Sequence, residues 1–318
     1  CGFIGSHLVD LLVAQNHRVR VLDDLSTGKL DNLPVGVELY VGDVADAKLV
    51  ARAMQGVDGC FHLAAIASVQ RSVEEWVEAH RVNLTGTIAV FDAARRAGRS
   101  PVPVVYASSA AVYGDSSNVP LAETTDAFPL SAYGADKLGC EHHARVATRV
   151  HGVPTTGLRF FNVFGPRQDP KSPYSGVIAI FARTIGLGNQ ITIYGDGEQV
   201  RDFVYVENVV RYLVAAMTRS RAEARVFNVC TGRATSVNQL ASAIANIAGR
   251  QARIDYQPAR TGDIRASVGD PRKLRRDRSL RSGSCTLRLE KKCGSKPRGD
   301  LHPHRVAQRD PNPDPHVS

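Results

Sequence analysis

The sequence predicts an α/β fold, a doubly wound parallel sheet with a smaller C-terminal lobe. Two observations carry this. Short apolar segments alternate with stretches of helical apolar spacing from the first residues to about 164. Several of the short segments are apolar on both faces, as strands covered by helices on both sides are. The chain has 318 residues, 43% of them hydrophobic, which is enough for a sizeable core. No apolar run reaches the roughly 18 residues of a membrane span.

The elements follow in order. Gly2 and Gly5 open an apolar-periodic helix. Such a glycine turn normally follows a strand, so the expected first strand is missing from this numbering. Strands are expected at 18–23, closed by Asp23, and at 37–41, before Gly42-Asp43. A helix capped by Asp46 follows to Gln55, then a buried strand at 57–64. One long helix is expected from 71 to 98, ended by Gly98, then a strand at 104–107, a helix at 132–151 and a strand at 155–162. Residues 1–164 thus form a dinucleotide-binding domain and 165–270 a smaller lobe over the sheet. The lobe has helices near 176–187, 207–218 and 236–249, with strands near 190–194, 201–206 and 226–230.

Residues 271–318 differ. They hold 13 of the 40 Lys and Arg, 5 of the 31 Asp and Glu, six of the sixteen prolines and no aromatic residue. The net charge of +9 therefore belongs mostly to this tail, and the rest of the chain is nearly neutral. Such a segment buries too little apolar surface to offset its ordering entropy, so a disordered or aberrant tail is expected. Without aromatic interleaving it does not argue for nucleic acid. Cys285 and Cys293 with His302 and His304 fit no standard zinc spacing, so no metal is expected. The six cysteines lack any CxxC pairing and suit a reducing, cytoplasmic setting.

Chemistry-bearing residues fall at strand and helix ends. Glycines at 2 and 5 let a pyrophosphate approach a helix N-terminus. Asp23, at the end of the next strand, suits an adenosine ribose and repels a 2′-phosphate, which favours NAD over NADP. Tyr133 and Lys137 lie four residues apart, on one face of the expected helix. The ammonium favours the phenolate form, so Tyr133 is a candidate general base. Ser109 ends the strand at 104–107, where a doubly wound sheet presents its ligand crevice.

At this point the chain resembles the extended short-chain dehydrogenase/reductases, NAD-dependent epimerase/dehydratase group, and most of all the UDP-glucose (or UDP-N-acetylglucosamine) 4-epimerases. The stretches that carry the resemblance are Gly2-Phe3-Ile4-Gly5, Val21-Leu22-Asp23-Asp24, His62-Leu63-Ala64-Ala65, Tyr106-Ala107-Ser108-Ser109 and Tyr133-Gly134-Ala135-Asp136-Lys137. Arg159-Phe160-Phe161-Asn162, Val200-Arg201-Asp202-Phe203 and Arg260-Thr261-Gly262-Asp263 continue it to about Asp270.

The resemblance implies a Rossmann-type domain and a Ser109, Tyr133, Lys137 catalytic set. It implies NAD contacts from Gly2, Phe3, Ile4, Gly5, Asp23, Asp24, Asp43, Val44, Leu63, Ala64, Ala65, Asn83, Tyr133, Lys137 and Phe160. UDP-sugar contacts are implied for Ser109, Asn162, Arg201, Arg260 and Asp263. The implied reaction inverts C4 of UDP-glucose or UDP-galactose, and of their N-acetylated forms, through a transient 4-keto sugar. The small Ser267 would leave room for an N-acetyl group. Ala110 and Ala111 stand where dehydratases of the group carry an acid pair. Asn208 replaces the family's usual Asp, and the usual apolar end after Arg276 is missing, as in a truncated or frame-shifted reading. A homodimer is implied through helices 71–98 and 132–151. The alternatives are another nucleotide-sugar oxidoreductase or decarboxylase, or a non-catalytic binding homologue.

Overall fold

The computed structural model describes residues 1–170, 176–260 and 263–277. The expectations for residues 278–318 lie outside them. The chain runs α1 (Phe3–Ala14), β1 (Arg20–Asp23), β2 (Glu38–Val41), α2 (Ala47–Ala53) and β3 (Cys60–His62). It continues α3 (Val69–Glu74), α4 (Trp76–His80), α5 (Gly86–Ala94), β4 (Val104–Ser109), α6 (Ala132–His151) and β5 (Thr155–Phe160). Then come β6 (Asn162–Phe164), α7 (Val177–Gly186), β7 (Ile191–Tyr194), β8 (Val200–Arg201), β9 (Phe203–Tyr205), α8 (Val206–Thr218) and β10 (Ala224–Val229). Last are β11 (Thr235–Ser236), α9 (Val237–Ala248), β12 (Ile254–Gln257), β13 (Ala266–Ser267) and α10 (Arg272–Arg276).

The main ladder has the order β10-β5-β4-β3 and is parallel throughout. β1 and β2 form a second parallel pair. The facing flanks of β1 and β3 both line one cavity of about 1310 Å³. Helices cover both faces of the sheet, as the doubly wound expectation requires. On one face Leu8 of α1 and Val209 and Leu213 of α8 pack with Val105, Leu158 and Phe227. On the other, Val90 and Phe91 of α5 and Cys140, Ala144 and Ala147 of α6 pack with Val104 and Tyr106. A third cluster, with Phe181, Ile185, Ile191, Ile193 and Leu240, joins α7 and α9 to β7. Residues 206–229, expected in a smaller lobe, instead join the main sheet as α8 and β10.

Local signals explain most boundaries. Asp46 caps α2 by accepting from the Lys48 and Leu49 amides. Ser131 caps α6 through the Gly134 amide, and Gly152, at φ 69°, ends it in the left-handed conformation. A reciprocal capping box between Ser236 and Gln239 starts α9. The expected long helix at 71–98 is instead three segments. Ser68 starts α3, accepting from the Arg71 amide, and Glu75, at φ −116° and ψ 50°, leaves helical geometry. A π-helical turn at Arg81–Thr85 then joins α4 to α5. The buried strand at 57–64 shortens to Cys60–His62, and 155–162 divides into β5 and β6.

Candidate active site

The large cavity runs along β1 and β3 from Val19 and Gly59 at their N-terminal ends to Asp23 and His62 at their C-terminal ends, and that second end is the expected place for a ligand in a doubly wound sheet. The structure brings Gly2, Phe3, Ile4, Gly5, Asp23, Asp24, Asp43, Val44, Leu63, Ala64, Ala65, Ser109, Tyr133, Lys137 and Phe160 to its wall. At Gly2 and Gly5 an added Cβ would meet no atom within 4 Å, so the start of α1 is open to a ligand. Gly2 gives α1 no side-chain cap, which leaves first-turn amides for an anion.

The acidic residues around this end are already engaged. Asp23 accepts from the Leu25 amide at 2.8 Å. Asp24 accepts from the amide and hydroxyl of Ser26. Asp43 meets Arg81 at 2.5 Å. Burial opposes ionisation of Asp43, but the Ala45 amide and Arg81 hold its carboxyl below the usual range.

Asn83 does not line the cavity. Fully buried in the π-helical turn, its amide accepts from the Ile66 N–H at 2.8 Å and donates to the Ile66 carbonyl at 3.2 Å. It therefore fixes the loop after β3 from behind. His62, at the end of β3, contacts Thr87 Oγ1 at 2.9 Å. Burial, with the nearby Lys137 charge, pushes its imidazole down to about 3, so it is neutral.

Tyr133 and Lys137 share the N-terminal part of α6. Lys137 is 2% exposed, its Nζ donates to the Ala107 carbonyl at 3.0 Å, and the ammonium lies 5.8 Å from the centre of the Tyr133 ring. The Tyr133 amide donates to Ser72 Oγ at 3.1 Å, which ties α6 to α3. Ser109 Oγ accepts from the Ala111 amide, leaving its own proton for another acceptor. Phenol, ammonium and hydroxyl therefore face one space, a set able to move a proton to or from a substrate oxygen.

The residues expected at a diphosphate sit apart from that cavity's wall. Arg201 on β8 pairs with Asp263 at 2.5 Å, and Arg260 stacks 3.8 Å from the centre of the Tyr194 ring. The Asn162 amide donates to the Asp202 carbonyl at 3.0 Å and begins β6. Burial lowers the Arg201 guanidinium from its ordinary value, and Asp263 counteracts this.

Sequence reasoning missed several supports. Asp202, fully buried, accepts from both the amide and hydroxyl of Thr231 and from the Gly232 amide, fixing the chain beside Arg201. Burial raises its carboxyl from the ordinary value, and those donors oppose the rise. In the sequence it stands inside the Val200-Arg201-Asp202-Phe203 stretch with no role of its own. Glu141 takes Ser108 Oγ at 2.6 Å and both Nε and Nη2 of Arg159 at 2.8 and 2.7 Å. It thereby locks α6 to β4 and β5. Among the described residues, no group of His, Cys, Asp and Glu could hold a metal, and no helix is long and apolar enough to cross a membrane.

Comparison with known proteins gives a consistent picture. The NAD dependent epimerase/dehydratase family profile matches residues 1–230. A UDP-glucose 4-epimerase of Mycolicibacterium smegmatis is 38% identical over 280 residues, covering 86% of this chain and 88% of its own. A UDP-glucose 4-epimerase of Thermotoga maritima, solved with UDP-glucose, superposes with a TM-score of 0.82 at 38% identity, covering 86% of this chain and 88% of that one. A UDP-glucose 4-epimerase of Thermus thermophilus, solved with NAD, gives a TM-score of 0.79 at 37% identity, over 86% and 89% of the two chains.

Proposed function

The chain belongs to the NAD dependent epimerase/dehydratase family, and from that premise we propose that it inverts C4 of a UDP-hexose, interconverting UDP-glucose and UDP-galactose. The observation that carries this reading is the convergence of Ser109, Tyr133 and Lys137 on the cavity that begins at Gly2 and Gly5.

The cavity's donor set suits NAD. The open start of α1 would hold the pyrophosphate, Asp23 and Asp24 the adenosine ribose, and Asp43, Val44 and Leu63 to Ala65 the adenine side. Lys137 and Phe160 would bound the nicotinamide end. When bound, NAD supplies a reversible hydride acceptor. The work of this chain's own residues is then proton transfer and orientation. Tyr133 takes the proton of the C4 hydroxyl, with the Lys137 ammonium 5.8 Å from the centre of its ring. Ser109 donates to the same sugar oxygen. The resulting 4-keto sugar turns over, and Tyr133 returns the proton to the product. In the lobe, Asn162, Arg201, Arg260 and Asp263 would hold the nucleotide diphosphate, with forked Arg donors suited to phosphate.

Ala110 and Ala111 follow Ser109 and carry no titratable group, which argues against expulsion of a C6 hydroxyl. Ser267 on β13 leaves N-acetylated hexoses within the proposed substrate range. Exposed Val69, Val73, Trp76 and Val77 on α3 and α4, with Val146 and Val150 on α6, support a homodimer through these helices. Free Cys60, Cys140 and Cys230 fit a reducing, cytoplasmic setting.

Incubation with NAD and UDP-galactose tests the reaction. The reading expects a mixture of UDP-galactose and UDP-glucose with no accumulation of NADH. Accumulating NADH or an unchanged substrate would each count against it.

A further inference from the structure

Asp136 stands on α6 between Tyr133 and Lys137, and it is buried. A buried carboxylate is costly unless donors satisfy it. Its Oδ1 lies 2.9 Å from Nδ1 of His80, the last residue of α4, while its Oδ2 has no hydrogen-bond partner. A carboxylate only accepts, so Nδ1 of His80 carries the proton and donates. Among the described residues, His80 is the sole hydrogen-bond partner of the Asp136 side chain.

This contact is one of three holds on a single helical segment. Ser72 Oγ of α3 accepts from the Tyr133 amide at 3.1 Å, and the Lys137 ammonium donates to the Ala107 carbonyl of β4 at 3.0 Å. Asp136 and Lys137 are consecutive, so their side chains leave α6 about 100° apart. One is held by α4 and the other by β4, and two holds in different directions fix the roll of α6 about its axis. Tyr133 lies three residues before Asp136 and four before Lys137, so its phenol follows any roll of that turn. The π-helical turn that begins after His80 holds other parts of the site: Arg81 binds Asp43, and Asn83 binds the Ile66 backbone.

We propose that His80 is a positioning residue for the proton-transfer step: through Asp136 it fixes the roll of α6, and with it the direction in which Tyr133 meets the sugar hydroxyl. The proposal rests on the epimerase reading. His80 does not line the large cavity, so its loss alters alignment and leaves the ligand contacts in place. Misplacing a reacting group by about 1 Å costs on the order of 100-fold in rate, so a small roll is enough to be measured.

Steady-state kinetics of the full chain with NAD and UDP-galactose test this, comparing the unmodified protein with His80→Leu and His80→Asn. The His80 side chain is 50% exposed, so neither change empties the core. His80→Leu is expected to lower kcat roughly tenfold, with KM for UDP-galactose within about twofold. Asparagine carries an N–H close to the place of Nδ1, so His80→Asn is expected to restore most of kcat. Asp136→Ala should lower kcat by a like factor, and adding His80→Leu to it should cost nothing more. An unchanged kcat in His80→Leu, an equal loss in His80→Asn, or full additivity in the double variant overturns the proposal. If Asp136→Ala fails to fold, His80→Leu against His80→Asn decides alone. An unmodified chain without turnover removes the epimerase reading and this proposal with it, whereas an active chain with unaffected variants removes the positioning role alone.

Discussion

The Lys137 ammonium donates to the Ala107 carbonyl at 3.0 Å, so the helix carrying Tyr133 is pinned to the central strand that ends at Ser109. One side chain thereby joins the two elements that furnish the proposed proton-transfer set. Replacing it should cost both structure and chemistry, whereas replacing Tyr133 should cost chemistry alone. Tyr133→Phe is expected to lower kcat by about 100-fold or more with an unchanged urea midpoint. Lys137→Met is expected to lose comparable activity and also about 1–3 kcal/mol of stability, because the Ala107 carbonyl loses its charged donor. Parallel kinetics and urea titrations check the pair.

The Glu141–Arg159 pair sits between α6, β4 and β5 with side-chain exposures of 0% and 5%. Removing one partner leaves a buried, uncompensated charge. Glu141→Gln should destabilise the protein by about 3 kcal/mol, read as a lower urea midpoint at constant slope.

His62 makes stability depend on pH. Burial depresses its imidazole to about 3 in the folded state, against 6.5 for the ordinary group. Between those values the unfolded chain binds a proton that the folded chain does not. Stability therefore rises with pH across this window and is lost as pH falls from about 6.5 toward 3, by about 1.4 kcal/mol per unit in the steepest part. His62→Gln should flatten that part of the profile. Thermal unfolding of both proteins at pH 7.0, 6.0 and 5.0 gives the comparison, and parallel curves would show that His62 is not the source.

Arg201 is held by Asp263 at 2.5 Å, and in the proposed reading a diphosphate takes the place of that carboxylate. Arg201→Gln should raise KM for the UDP-sugar by about 10–100-fold with a smaller change in kcat. An unchanged KM would place the diphosphate elsewhere.

Legibility in the sequence followed the range of the interactions. Helix α6 matched its expected ends because Ser131 and Gly152 both act locally. The segment expected at 71–98 has continuous apolar spacing, yet Glu75 leaves the helix and a π-helical turn follows, features that spacing does not encode. The wall of the large cavity was readable because glycines, Asp23 and Tyr133 lie at strand and helix ends. The Arg81–Asp43 and Glu141–Arg159 pairs join residues on different elements, so no local pattern marked them. The Arg201–Asp263 contact and the Asp202 network depend in the same way on how the lobe folds back.

The central claim is that C4 loses a hydride and regains the same one on its other face. UDP-glucose labelled with tritium at C4 tests this most directly, with NAD present and product separated from solvent. The account predicts UDP-galactose that keeps the label, with none in water. Label released to water, or no UDP-galactose at all, would contradict it.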